Sequence, residues 1–188
     1  KNFLEEKNFI AAFHSAEAII TDYRELKEEQ QSDLHFAMQS AFELFSAISG
    51  SEAAFDLKEK TFESLQDAAR DYSTLYPEEI NETCFATLVE ISDDTTKLEW
   101  TLDCLEEKLE LSHSNFRKRN TSYDEPFLLQ LKWVVLQKMN RNDEAHELLE
   151  ANKRDDFFRI KLIEEEISSK NFERAKELIA DKKSIEND

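Results

Sequence analysis

The sequence predicts an all-α protein, and three observations carry that reading. Gly occurs once and Pro twice in 188 residues, whereas tight turns, phosphate loops and strand bulges need many more of them. Glu, Lys, Leu and Ala, the favoured helix formers, dominate instead. Apolar residues also return every three to four positions along nearly the whole chain, and strand-type alternation is missing. Fourteen Phe, with 40% hydrophobic and 35% charged residues, suit a soluble globular core rather than a disordered chain. The length fits one domain, or two small subdomains sharing a core.

The elements follow in order. In the first segment Phe9, Phe13, Ala16, Ile20 and Tyr23 step by four, three, four and three. The second, Leu34, Met38, Ala41, Phe45 and Ile48, keeps that rhythm and stops at Gly50, a residue suited to helix ends. The third carries Phe55, Phe62, Leu65, Ala69, Tyr72 and Tyr76 and halts before Pro77, because the residue ahead of a proline resists helical angles. The fourth takes that proline into its first turn and continues with Ile80, Cys84, Leu88 and Ile91. Ser92-Asp93-Asp94 starts the fifth, with acids near the positive end of the helix dipole. Its stripe of Leu98, Leu102, Leu105, Leu109 and Phe116 makes about six turns. Arg117, Lys118 and Arg119 close it, either as a favourable cap on the dipole or as a docking spot for an acidic partner.

After Asn120-Thr121-Ser122 the pattern changes, dividing a long-helix region, 1–120, from a region of shorter helices, 121–188. The shorter helices run to about 10–16 residues each. The sixth stripe is Phe127, Leu131, Val134, Val135 and Met139, and the seventh is Ala145, Leu148 and Leu149. The eighth is Phe157, Ile160, Ile163 and Ile167, and the ninth is Phe172, Ala175, Leu178 and Ile179. An internal repeat joins them. Aligning Ala145 with Ala175 also brings Glu147 onto Glu177, Leu148 onto Leu178 and Leu149 onto Ile179, an offset of 30 residues. That period is typical of paired-helix solenoids. A small Ala opening the second helix lets it lie close on its partner, while Leu and Ile fill the groove beyond. Lys7-Asn8-Phe9-Ile10-Ala11-Ala12 is a fainter echo of Lys170-Asn171-Phe172-Glu173-Arg174-Ala175.

Asn140-Arg141-Asn142-Asp143-Glu144-Ala145 and Lys170-Asn171-Phe172-Glu173-Arg174-Ala175 resemble the opening of the second helix in tetratricopeptide repeats. The resemblance covers roughly residues 122–182, about a third of the chain. It departs from the family in lacking the first-helix Gly and the closing Pro, and in its shorter period, so the segment is TPR-like. Similar helical stretches accompany bacterial SWIM zinc-finger proteins, although no Cys/His zinc pattern occurs here. The TPR-like resemblance implies a helical array, or α-solenoid, of about nine helices with a concave face lined by first helices.

The net charge of −18, from 42 acids and 24 bases, disfavours direct binding to nucleic acid or anionic membrane, both of which require cationic surfaces. It suits a solvated exterior or attraction to a basic partner. Cys84 and Cys104 fall on apolar stripes with no zinc spacing, as buried thiols do. There is no signal peptide and no membrane-length apolar run, which predicts a cytoplasmic protein. The chain begins at Lys1, as a fragment of a larger protein would.

Chemistry-bearing constellations are sparse. Glu110 and His113 have the i, i+3 spacing used in carboxylate-bridged metal bundles, and Asp143 with His146 is the one comparable pair. His14 and His35 stand beside apolar stripes, and no Ser or Cys nucleophile has a recognisable partner. The leading expectation is a non-enzymatic interaction module, without cofactor or metal, that presents a helical groove to a protein or peptide. The alternatives are a metal-binding helical bundle or enzyme, and an acidic protein that occupies a basic nucleic-acid-binding partner. Trp100 and Trp133 lie off the main stripes of their helices. Trp133, Leu136, Phe158 and Leu162 are apolar residues left over after the stripes are assigned, and are therefore the predicted partner-facing set. Arg159 and Lys161 stand beside them to orient an acidic or carboxylate-bearing segment.

Overall fold

A computed structural model describes residues 8–25, 35–75, 78–115 and 125–185. Among these residues the fold is nine α-helices with no strand, in agreement with the all-α prediction. In chain order they are α1 (Phe9–Glu25), α2 (His35–Ser49), α3 (Phe55–Leu75), α4 (Glu78–Ile91) and α5 (Thr95–Asn115). The shorter set follows as α6 (Glu125–Lys138), α7 (Asn142–Ala151), α8 (Asp156–Ser168) and α9 (Phe172–Ile185). Two compact units are present, Lys1–Cys104 and Leu105–Asp188. The division falls within α5, while the boundary expected at 120/121 lies outside the described residues.

In the first unit α1 packs on α2 and α3, and α4 packs on α2 and α3. The predicted stripes supply its core. Phe13, Ala16, Ile20 and Tyr23 of α1 meet Met38, Ala41, Phe45 and Ile48 of α2, and all eight are buried. The Phe13 and Phe45 rings lie 5.8 Å apart, within the range of favourable aromatic pairs. Phe62, Leu65 and Ala69 of α3 and Cys84, Leu88 and Ile91 of α4 are buried as predicted. Phe55 departs from its stripe and is 76% exposed. It is the first residue of α3, and a side chain there leans back beyond the helix, where nothing covers it. Gly50 follows the last residue of α2 without a left-handed backbone, so it ends the helix with no need of glycine's special freedom.

The start of α5 follows the sequence expectation closely. Asp94 accepts the Lys97 backbone N–H at 3.0 Å, an N-cap, and that hydrogen bond holds its carboxyl below the ordinary range. Lys97 is only 8% exposed and gathers Glu59 of α3 at 2.7 Å and Asp93 at 2.9 Å. Burial alone would lower its pKa, but the hydrogen bonds to Glu59 and Asp93 prevail and raise it. This clamp ties the α5 entry to α3.

In the second unit α6 packs on α7, α7 on α8, and α8 on α9. The 30-residue repeat is present in the backbone as well as in the sequence. Asn140 and Lys170 both have positive φ, 58° and 63°. The Arg141 N–H reaches the Leu136 carbonyl at 2.9 Å, and the Asn171 N–H reaches the Glu166 carbonyl at 2.8 Å. Asn140 and Lys170 donate in the same way to Gln137 and Ile167. These paired bonds define a Schellman turn, occurring twice at the same offset. Ala145 and Ala175, aligned by that offset, are both buried.

Candidate functional site on the last helix pair

The core of the second unit is built by Leu149, Phe158, Leu162 and Leu178, with Leu129, Trp133, Leu148, Phe157 and Ile163 packed partly buried against it. Leu149 on α7 is therefore covered by the pair that follows it. This arrangement overturns most of the predicted partner-facing set. Leu136, Phe158 and Leu162 are almost completely buried, so they are core and not a surface. Arg159 is buried too and pairs with Asp156 on its own helix, which removes it as a free cation.

Trp133 and Lys161 are half-buried. Trp133 meets Phe157 edge to face at 5.7 Å, and Phe157 meets Phe158 at 5.2 Å. The Lys161 ammonium lies 5.7 Å from the Trp133 ring centre and 2.8 Å from Glu164, so it is engaged by a cation–π contact and an ion pair. Trp100 plays a similar part in the first unit, edge to face with Phe62 at 6.1 Å and under the Arg70 guanidinium at 5.6 Å. Both tryptophans fill intramolecular contacts.

The exposed apolar residues of this unit lie elsewhere. Ile160 and Ile167 on α8 are 51% and 49% exposed, and Phe172 and Ile179 on α9 are 54% and 52% exposed. Ile160 and Ile167 are seven residues apart, as are Phe172 and Ile179, so each pair lines one side of its helix two turns apart. Sequence periodicity assigned all four to the core. Positions 160, 167 and 179 correspond to Gln130, Gln137 and Leu149 of the preceding pair, which are partly or fully buried. Position 172 corresponds to Asn142, which is exposed as well, so the difference between the pairs is largest at Leu149 and Ile179. These exposed residues of α8 and α9 are the candidate site.

Polar contacts hold the stack in register. His146 of α7 meets Glu165 of α8 at 2.8 Å, and that hydrogen bond raises the imidazole pKa above its ordinary value. Arg174 of α9 reaches back to Glu150 of α7 at 3.3 Å. The Arg174 and Lys153 contacts hold the Glu150 carboxyl below its usual range, Lys153 contributing most.

In the first unit a cleft of about 360 Å³ opens between the start of α1 and the start of α3, lined by Phe9, Ile10, Phe13, Ala54 and Leu57 with His14 and Lys60 at its edge. Among the described residues no three His, Cys, Asp or Glu side chains converge as a metal site. Glu110 is exposed, and the His113 side chain lies outside the described residues, as does the cluster Arg117, Lys118 and Arg119. Cys84 and Cys104 are buried free thiols. Among the described residues no helix is long and apolar enough to cross a membrane. No protein-family model, curated protein or solved structure matches the chain.

Proposed function

We propose that the chain is a non-catalytic protein-interaction module whose C-terminal helix pairs bind a polypeptide through the exposed apolar residues of α8 and α9. The observation that carries this reading is the exposure of Ile160, Ile167 and Ile179, whose counterparts in the preceding pair are partly buried at Gln130 and Gln137 and fully buried at Leu149. Four large apolar side chains on two adjacent helices form the kind of surface that an amphipathic segment covers. The likeness of the two α7 and α9 openings to tetratricopeptide second helices supports the same role, since stacked helix pairs bind through extended surfaces.

Photo-cross-linking tests the reading. With a photo-reactive residue in place of Phe172, irradiation in an extract of the source cells should yield a covalent adduct to a polypeptide. Ile179→Glu should abolish the adduct. Absence of any polypeptide adduct, or an adduct indifferent to Ile179→Glu, would refute it.

A second reading rests on charge. Residues 1–104 carry 23 acids against 8 bases, net −15, while residues 105–188 carry 19 against 16, net −3. That asymmetry favours a basic partner for the first unit. Binding to a polylysine column that is lost at high salt and retained by residues 1–104 alone would support it.

A further inference from the structure

No further inference is drawn: the strongest candidate, the apolar cleft between the starts of α1 and α3 in the first unit, carries nothing, because its rim bears both signs, Lys60 against Glu52 and Asp56, and nothing in the structure shows what covers it.

Discussion

The two units solve the same problem of burying helices in opposite ways. The first encloses large side chains from several directions: Tyr23, Phe42, Phe45 and Phe85 are all fully buried, together with Met38, Ile48, Leu65 and Leu88. The second is a sequence of helix pairs in which each helix packs on the next, around a smaller cluster centred on Leu149, Phe158, Leu162 and Leu178. Neither enclosure is complete: Ile10, Phe36 and Phe55 of the first unit stay exposed, as do Ile160, Ile167, Phe172 and Ile179 of the second. Charge follows the same division. The first unit concentrates its acid excess outside an enclosed core and holds one buried cation, Lys97, among carboxylates. In the second, several of the described cations are matched one turn away, as Arg141 with Glu144, Lys153 with Glu150, and Arg174 with Glu177. The contrast lies in the arrangement of the helices, around a shared centre in the first unit and one after another in the second.

The sharpest way to break this comparison is to truncate a core and an end-face residue of the same helix. Phe158→Ala should cost about 3–5 kcal/mol, as large core truncations do. Ile160→Ala, two positions away, should change stability by less than about 0.5 kcal/mol. Urea denaturation of both variants reads the difference. Equal losses would place Ile160 in the core and remove the open face.

How much of this was legible in the sequence differs between the units for a physical reason. Helices α1, α2 and α4 carry most of their apolar residues on one arc, the exposed Ile10 and Phe36 apart, so period alone selects Phe13, Ala16, Met38, Phe45 and Leu88. Helix α8 has Phe157, Phe158, Ile160, Leu162, Ile163 and Ile167 around most of its circumference. Period cannot choose between two overlapping stripes there, and it chose the outer one. The same ambiguity in α6 favoured Phe127 and Val134, which are half-buried, over Leu128 and Leu136, which are buried. The 30-residue offset does not resolve it either, because it joins Leu128 to Phe158 but equally Phe127 to Phe157, and it sets Lys132 against the buried Leu162 and Glu166 against the buried Leu136. The Lys97 clamp had no sequence signal beyond a lysine on an apolar stripe, because Glu59 comes from another helix.

A second substitution probes the first unit. Lys97→Met should cost about 1–3 kcal/mol, the range for hydrogen bonds to charged groups. The loss stays below that of a fully buried broken pair because Asp93 and Asp94 retain access to water. Thermal melts of residues 1–104 in the full chain, followed by Trp100 fluorescence, check it, and an unchanged midpoint would show that the clamp contributes nothing.

The opposite sign is expected at the repeat turn. Lys170 holds a left-handed backbone at φ 63°, which a residue with a Cβ adopts at a penalty of about 1 kcal/mol. Lys170→Gly should therefore stabilise the second unit by about 0.5–1 kcal/mol. Asn140→Gly should gain less, since Asn tolerates that conformation. Destabilisation by Lys170→Gly would contradict the turn geometry.

The smallest effect concerns pH. The Glu165 carboxylate raises the His146 pKa in the folded state above its ordinary 6.5, so the pair's contribution is complete below pH 6.5. It fades as the pH rises through the folded value. His146 is 47% exposed, and solvent screening keeps the change small. The urea midpoint of the second unit should fall slightly between pH 6 and 8, and His146→Gln should flatten that slope.

The central claim is that one helix-pair unit occurs twice at a 30-residue offset, covered the first time and open the second. Residue-specific nuclear magnetic resonance tests it most directly, by combining backbone shifts with solvent accessibility from a soluble paramagnetic probe. The account predicts left-handed shifts at both Asn140 and Lys170, strong probe broadening of the Ile160, Ile167 and Ile179 methyls, and none at Leu149 or Leu162. A right-handed Lys170, or Ile179 methyls as protected as those of Leu149 in a chain shown to be monomeric, would contradict it.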